Sequence, residues 1–186
     1  MKSNLVVLVI NGWGASSSRK ESRTSSRVRT QLVSRDIEPH AYMAKRASVF
    51  FSRTRRFRRF IAKHASPSRD LLLVAKSYGA YLLLTEVLGT VRPSYRRVVL
   101  LTADPCWPLL TKWRPNLNKH VLFLECPVDK AVNVFAVCPP HKQAGSLVTG
   151  NGCMNIPVSN TSHKAISTTR AFRIELSAAI DYVTGL

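Results

Sequence analysis

Unbroken apolar runs alternate along this chain with segments whose apolar positions recur every three or four residues. "NLVVLVI" at the N-terminus, "DLLLV" from Asp70, "RRVVLLTADP" and "HVLFLEC" from His120 are short runs rich in branched residues. Such runs are long enough for strands and too short for helices, and they suit strands buried on both faces of a parallel sheet. "NGWG" follows the first as an exit turn, and "VNVFAV" from Val132 offers a fifth strand. Between Phe50 and Ala65 the period changes. Phe57, Phe60, Ile61 and His64 fall at i, i+3, i+4 and i+7, while Arg53, Arg55, Arg56, Arg59 and Lys63 fall largely elsewhere, which predicts an amphipathic helix stopped by Pro67.

"GAYLLLTEVL" from Gly79 is apolar nearly all round, as a helix covered on most sides would be. Ser16 to Arg35 is rich in serine and arginine with weak periodicity, and is read as a frayed helix or a loop. Pro139 to Ser162 reads as a long loop holding one short strand around Ile156 to Val158. Ile166, Phe172, Leu176, Ile180 and Val183 then give helical spacing to the C-terminus. Strands alternating with helices predict an α/β fold, a mostly parallel sheet with helices on both faces.

A length of 186 residues with 45% hydrophobic composition suits one core, so residues 1–186 are expected to form a single domain. No apolar run approaches the roughly 20 residues of a membrane-spanning helix. The run behind Lys2 is shorter than the 7 to 15 residues of a secretory h-region, which points to the cytoplasm. Cys106, Cys126, Cys138 and Cys153 lack the paired spacing of a zinc site and read as free thiols. A Cys138–Cys153 bridge stays open if the protein is exported.

Charge changes the picture more. The net charge is +18, and 15 of the 28 lysines and arginines lie between Arg19 and Arg69, opposed there only by Glu21, Asp36 and Glu38. A field of that size attracts polyanions: nucleic acid, an acidic membrane surface or an anionic substrate.

Candidate chemistry begins at "LLLVAKSYGAYLLL", where Ser77 stands between a predicted strand and a predicted helix. Ala75 and Gly79 flank it at two residues' distance, and small residues are what a sharp strand-to-helix turn needs. Ligands of open parallel sheets bind at the carboxyl ends of the strands, where Ser77 would sit. The plainer role for such a serine is a helix cap. A serine hydroxyl becomes a nucleophile only beside a base, and the base needs an acid to orient it.

"AKSYGA" resembles the G-x-S-x-G nucleophile elbow of the α/β-hydrolase family, with Ala75 in place of the first glycine. "INGWGAS" is similar to the family's "HGWG" loop, with Asn11 in place of the histidine. The resemblance implies a minimal three-layer α/β-hydrolase-like fold and a serine hydrolase of the esterase or lipase kind that needs no cofactor. It implies Ser77 as nucleophile and the backbone N–H groups of Trp13 and Tyr78 as oxyanion donors. In the family's order of serine, acid, histidine, His163 before the last helix is the base, and His141 has no such context. Asp104, ending the third run, is preferred as acid over Asp129, which follows the next strand. His40, His64 and His120 are assigned to the scaffold.

The stretch around Tyr42 to Phe60 is the expected cover of the site, over an ester substrate that the positive field would favour as an anion or a lipid. Two other readings stay open. "SRTRRFRRF" interleaves arginine with phenylalanine, a pattern that can track phosphates and stack bases. A hydrolase fold without activity, used as an interaction surface, is also compatible with the Ala75 and Asn11 departures.

Overall fold

The computed structural model describes residues 5–11, 22–43, 52–65, 70–77, 79–80, 82–83, 95–103, 121–125, 153–158, 161 and 165–184. Its framework is a six-stranded sheet in the order β2-β1-β3-β4-β5-β6. The strands are β1 (Leu5–Asn11), β2 (His40–Met43), β3 (Asp70–Ser77), β4 (Tyr95–Ala103), β5 (Val121–Glu125) and β6 (Cys153–Pro157). Every neighbouring pair is parallel. All six strands therefore end at one edge of the sheet, as an α/β chain with crossover connections requires.

Register explains why β1 and β3 carry no polar face. Val7 pairs with Leu72 and Val9 with Val74, and all four join Val28, Leu32, Phe172, Leu176 and Ile180 in one core cluster. That cluster is the interface between the sheet and two helices, α1 (Arg23–Val33) and α3 (Arg170–Thr184). The alternate residues Val6, Leu8, Ile10, Leu71, Leu73 and Ala75 are equally buried yet stand outside it, so the second face is covered too. Part of that cover is α2 (Ser52–His64), whose Phe57 meets Tyr42 edge to face at 5.1 Å; Tyr42 pairs in register with Ile10. Helices on both faces of a parallel sheet are what the alternating pattern predicts.

Three elements depart from the sequence reading. Residues 23–33, within the stretch read as a frayed helix or a loop, form a capped helix, α1. Its buried positions are Thr24, Ser25, Val28 and Leu32, a face half polar and therefore faint to any hydrophobic periodicity. Ser22 caps it by accepting from the Ser25 N–H, and Asp36 beyond its end takes a left-handed conformation that returns Ile37 to the core. The second departure is β2, a four-residue edge strand that was not anticipated. The short strand expected around Ile156 to Val158 is the third: it runs from Cys153 to Pro157 and completes the sheet beside β5.

At the C-terminus the expected helix opens with a 3-10 turn at Ile166–Thr168 before α3 begins. Thr169 makes the joint, its hydroxyl donating to the Ile166 carbonyl and accepting from the Phe172 N–H. Phe172, Leu176, Ala179, Ile180 and Val183 keep the predicted face buried, each larger side chain contributing about 1.5–3 kcal/mol by its removal from water. The strand expected at Val132 lies outside the described residues, as do Cys106, Cys126 and Cys138.

Candidate active site at the carboxyl edge of the sheet

The strand that carries Ser77 ends beside two neighbours at one edge of the sheet. Asn11, Ser77 and Ala103 close β1, β3 and β4, three strands adjacent in the order β1-β3-β4. Ser77 holds the last position of β3, and helical backbone resumes at Gly79, so one residue separates strand from helix. That spacing makes the turn abrupt. The ladder to β4 also breaks here: Lys76 pairs with Leu101 but Ser77 with Ala103, so β4 carries one extra residue opposite the serine. Bulges of this kind re-aim a strand end and are over-represented beside active sites.

Gly79 shows how tightly the turn is seated. A Cβ at this position would stand 2.3 Å from the Ile10 carbonyl oxygen, 2.8 Å from the Ile10 carbonyl carbon and 3.0 Å from that of Asn11. All three are backbone atoms of β1, which cannot swing aside like a side chain. Only glycine lets the helix after Ser77 pack against the end of β1. Ala75, two residues before Ser77, is fully buried and pairs with Ile10 on one side and Leu100 on the other.

Asn11 supplies a second anchor at the same edge. It is buried, and its carboxamide donates to Ser25 Oγ at 3.0 Å and to the Tyr42 carbonyl at 3.2 Å. Its Oδ1 accepts from the Ser22 hydroxyl, and the Ser22 and Ser25 hydroxyls are 2.9 Å apart. Each hydroxyl has one proton, so the ring closes with Ser22 donating to Asn11 and Ser25 to Ser22. The Ser25 N–H at 3.0 Å fills the other lone pair of Ser22. One side chain thus joins β1, β2 and the start of α1, and fixes the two points from which residues 12–21 depart.

Two donors and an acceptor are needed to satisfy those partners, and a neutral imidazole offers one of each. Asparagine where the resembling loop has histidine is therefore a fitted choice in this chain. Sequence reading noted Asn11 only as a departure, because its partners lie 14 and 31 residues away. The local signal was the serine pair at 22 and 25, in the positions of an N-cap and its third helical residue.

Trp13, Tyr78, Asp104, Asp129, His141 and His163 lie outside the described residues. The strands preceding Asp104 and Asp129 in sequence, β4 and β5, end at the same edge as β3, and His163 falls in sequence between β6 and the 3-10 turn. His40 and His64 sit elsewhere, stacked on each other with ring centroids 4.1 Å apart at the start of β2 and the end of α2. Burial first, then the charges of His40 and Lys63, hold the His64 imidazole below its ordinary value. Their scaffold assignment agrees with that placement. The segment expected to cover the site is mostly scaffold as well: Tyr42 lies in β2 and Phe60 in α2, their rings 5.3 Å apart. Residues 44–51 between them lie outside the described residues.

This architecture has relatives among solved structures. The chain is similar to a YdeN-like hydrolase from Pectobacterium atrosepticum at 12% identity and a TM-score of 0.51, over 96% of this chain and 90% of that one. MenH from S. aureus aligns at 12% identity and a TM-score of 0.56, over 97% and 95%. Esterase 2 of Thermogutta terrifontis aligns at 13% identity and a TM-score of 0.53, over 99% and 84%. No family model matches the sequence, and no curated protein matches it. At such identities the likeness establishes the fold: this is an α/β-hydrolase fold in a small form. Among the described residues no helix is long and apolar enough to cross a membrane.

Proposed function

We propose that the chain is a serine hydrolase that cleaves an ester or related acyl bond. Ser77 attacks the carbonyl, His163 takes its proton, and Asp104 holds the imidazolium, with Asp129 as the alternative acid. The N–H groups of Trp13 and Tyr78 stabilise the oxyanion, and water then releases the acyl group from Ser77. The reading rests on the fold, on the strand-to-helix step at Ser77, and above all on Gly79. A glycine demanded by contact with neighbouring backbone, two residues after a serine at a strand end, is the packing requirement of an elbow. A helix-capping serine makes no such demand on that position.

Asn11 supports the same reading from the other side of the turn. Trp13 follows it by two residues, so the network that fixes Asn11 and Ser22 would also limit where the Trp13 N–H points. The experiment is labelling of the chain with a fluorophosphonate, which requires nucleophile, base and oxyanion donors together. Ser77 is expected to carry the label, and Ser77→Ala to lose it along with esterase turnover, by about 10³-fold or more. Full turnover in a folded Ser77→Ala chain would refute the assignment. As to substrate, the net charge supports an anionic or lipid ester; its turnover should then fall with added salt more steeply than that of a neutral ester.

A further inference from the structure

The exposed face of α2 has no use in folding that the described contacts reveal. Six of its 13 residues are arginine or lysine and none is acidic. Phe57 and Ile61 are buried, and Phe60 is half-buried against Tyr42 and His64. Arg55, Arg59 and Lys63 are exposed away from that stripe, and Arg56 is exposed on its flank. Among the described residues no carboxylate lies within ion-pair reach of these four; the described ion pairs are Arg29–Glu38 and Arg35–Asp181. Arg55, Arg59 and Lys63 follow one another at four-residue intervals, a row with about 6 Å of rise between successive cations.

We infer that this face is a binding surface for the phosphate backbone of duplex nucleic acid, a function separate from hydrolysis. The row spans about 12 Å along the helix, a length over which a duplex presents roughly seven charges at one per 1.7 Å. Three of the four cations are arginine, whose planar fork matches a phosphate with two parallel hydrogen bonds. Burial of the phenylalanines narrows the ligand. Unpaired bases need exposed rings to stack on, and α2 exposes none among its described side chains. A bilayer-surface helix sinks its apolar side into the headgroup boundary, and the apolar side of α2 is spent on the sheet. What is left is rigid, regularly spaced charge, suited to a ligand of high and regular charge density and indifferent to its sequence.

The test uses the 186-residue chain and a 30-base-pair DNA duplex of arbitrary sequence, read by fluorescence anisotropy between 50 and 200 mM KCl. The four cations should contribute about −3.6 to the slope of log K against log salt, a loss of about 10²-fold in affinity across that range. The variant R55Q/R56Q/R59Q/K63Q should lose that increment and bind the duplex at least tenfold more weakly at 100 mM. The control R170Q/R173Q, on α3, should leave slope and affinity unchanged. Thermal melting checks that each variant is folded, and fluorophosphonate labelling should be the same in all three proteins. An unchanged slope in the quadruple variant would overturn the inference. So would tighter binding to single-stranded oligothymidine or to phosphatidylserine vesicles than to the duplex.

Discussion

The carboxyl edge of the sheet and the outer face of α2 are built on opposite principles. At the edge, Gly79 touches the backbone of β1 so closely that one added carbon has no place, and the Asn11 carboxamide is satisfied by three partners at once. On α2, four exposed cations stand in open solvent with no described carboxylate to hold them. A packed site concentrates its free energy in a few atoms, so single substitutions there have large, all-or-none effects. A charged face spreads its free energy over many weak terms that add, so substitutions there are graded and answer to salt.

Substitution at Gly79 draws that contrast most sharply. Gly79→Ala adds a Cβ at 2.3 Å from the Ile10 carbonyl oxygen, and relief requires moving either β1 or the helix. Overpacking against backbone should cost about 3 kcal/mol, at the upper end for one inserted group. A urea titration should show that loss as a lowered midpoint at unchanged slope, and Ser77 should lose fluorophosphonate labelling in whatever fraction stays folded. A chain that kept its stability would mean that the edge is not packed as described.

Asn11→Ala comes next. It leaves the Tyr42 carbonyl without its donor and opens the ring through Ser22 and Ser25, with an expected cost of about 2 kcal/mol. Ser25→Ala removes one member and keeps the Asn11 contact to Tyr42, so its cost should be smaller. The two losses should not add, because both residues belong to one network. A double-mutant cycle by chemical denaturation measures the coupling, and simple additivity would show that the ring is not cooperative.

How legible this fold was in the sequence follows the same division. β1 and β3 announced themselves because strands buried on both faces leave continuous apolar runs, and β4 and β5 because their apolar runs are equally continuous in the sequence. The Ser77 turn was readable because its requirements, small residues at fixed offsets, are local. α1 was not, since its buried Thr24 and Ser25 add nothing to a hydrophobic stripe, and the partner that holds Ser25, Asn11, is 14 residues away. β2 was missed because an edge strand of four residues, none of them fully buried, has little pattern to show. The role of Asn11 was invisible for a third reason: its partners come together only after β1, β2 and α1 have assembled.

On α2 the expected effect reverses sign. Arg59 stands four residues from both Arg55 and Lys63, in two like-charged pairs that each destabilise a helix by about 0.2–0.5 kcal/mol. Arg59→Gln should therefore raise stability by about 0.4–1 kcal/mol at low salt, and the gain should vanish at high ionic strength. Thermal melting at two salt concentrations checks both halves. A loss of stability would mean that Arg59 has an intramolecular partner, and would weaken the case for a face kept for a ligand.

The smallest effect belongs where the two designs meet, at His64. Its ring stacks on His40 and packs 4.8 Å from Phe60, while Lys63 beside it belongs to the charged face. Burial, His40 and Lys63 all disfavour its protonated form, so its folded pKa lies below the unfolded value of 6.5. Between those two values the unfolded chain holds more protons than the folded one, and stability must rise with pH. His64 therefore contributes its full share above pH 6.5 and loses it as pH falls toward and through the lowered value. His64→Gln should flatten that part of the stability-versus-pH curve, and Lys63→Gln, by letting the folded pKa rise toward 6.5, should shrink it only in part, because burial outranks charge among the causes. A curve unaltered by His64→Gln would place the titrating group elsewhere and leave the stacked pair as packing alone.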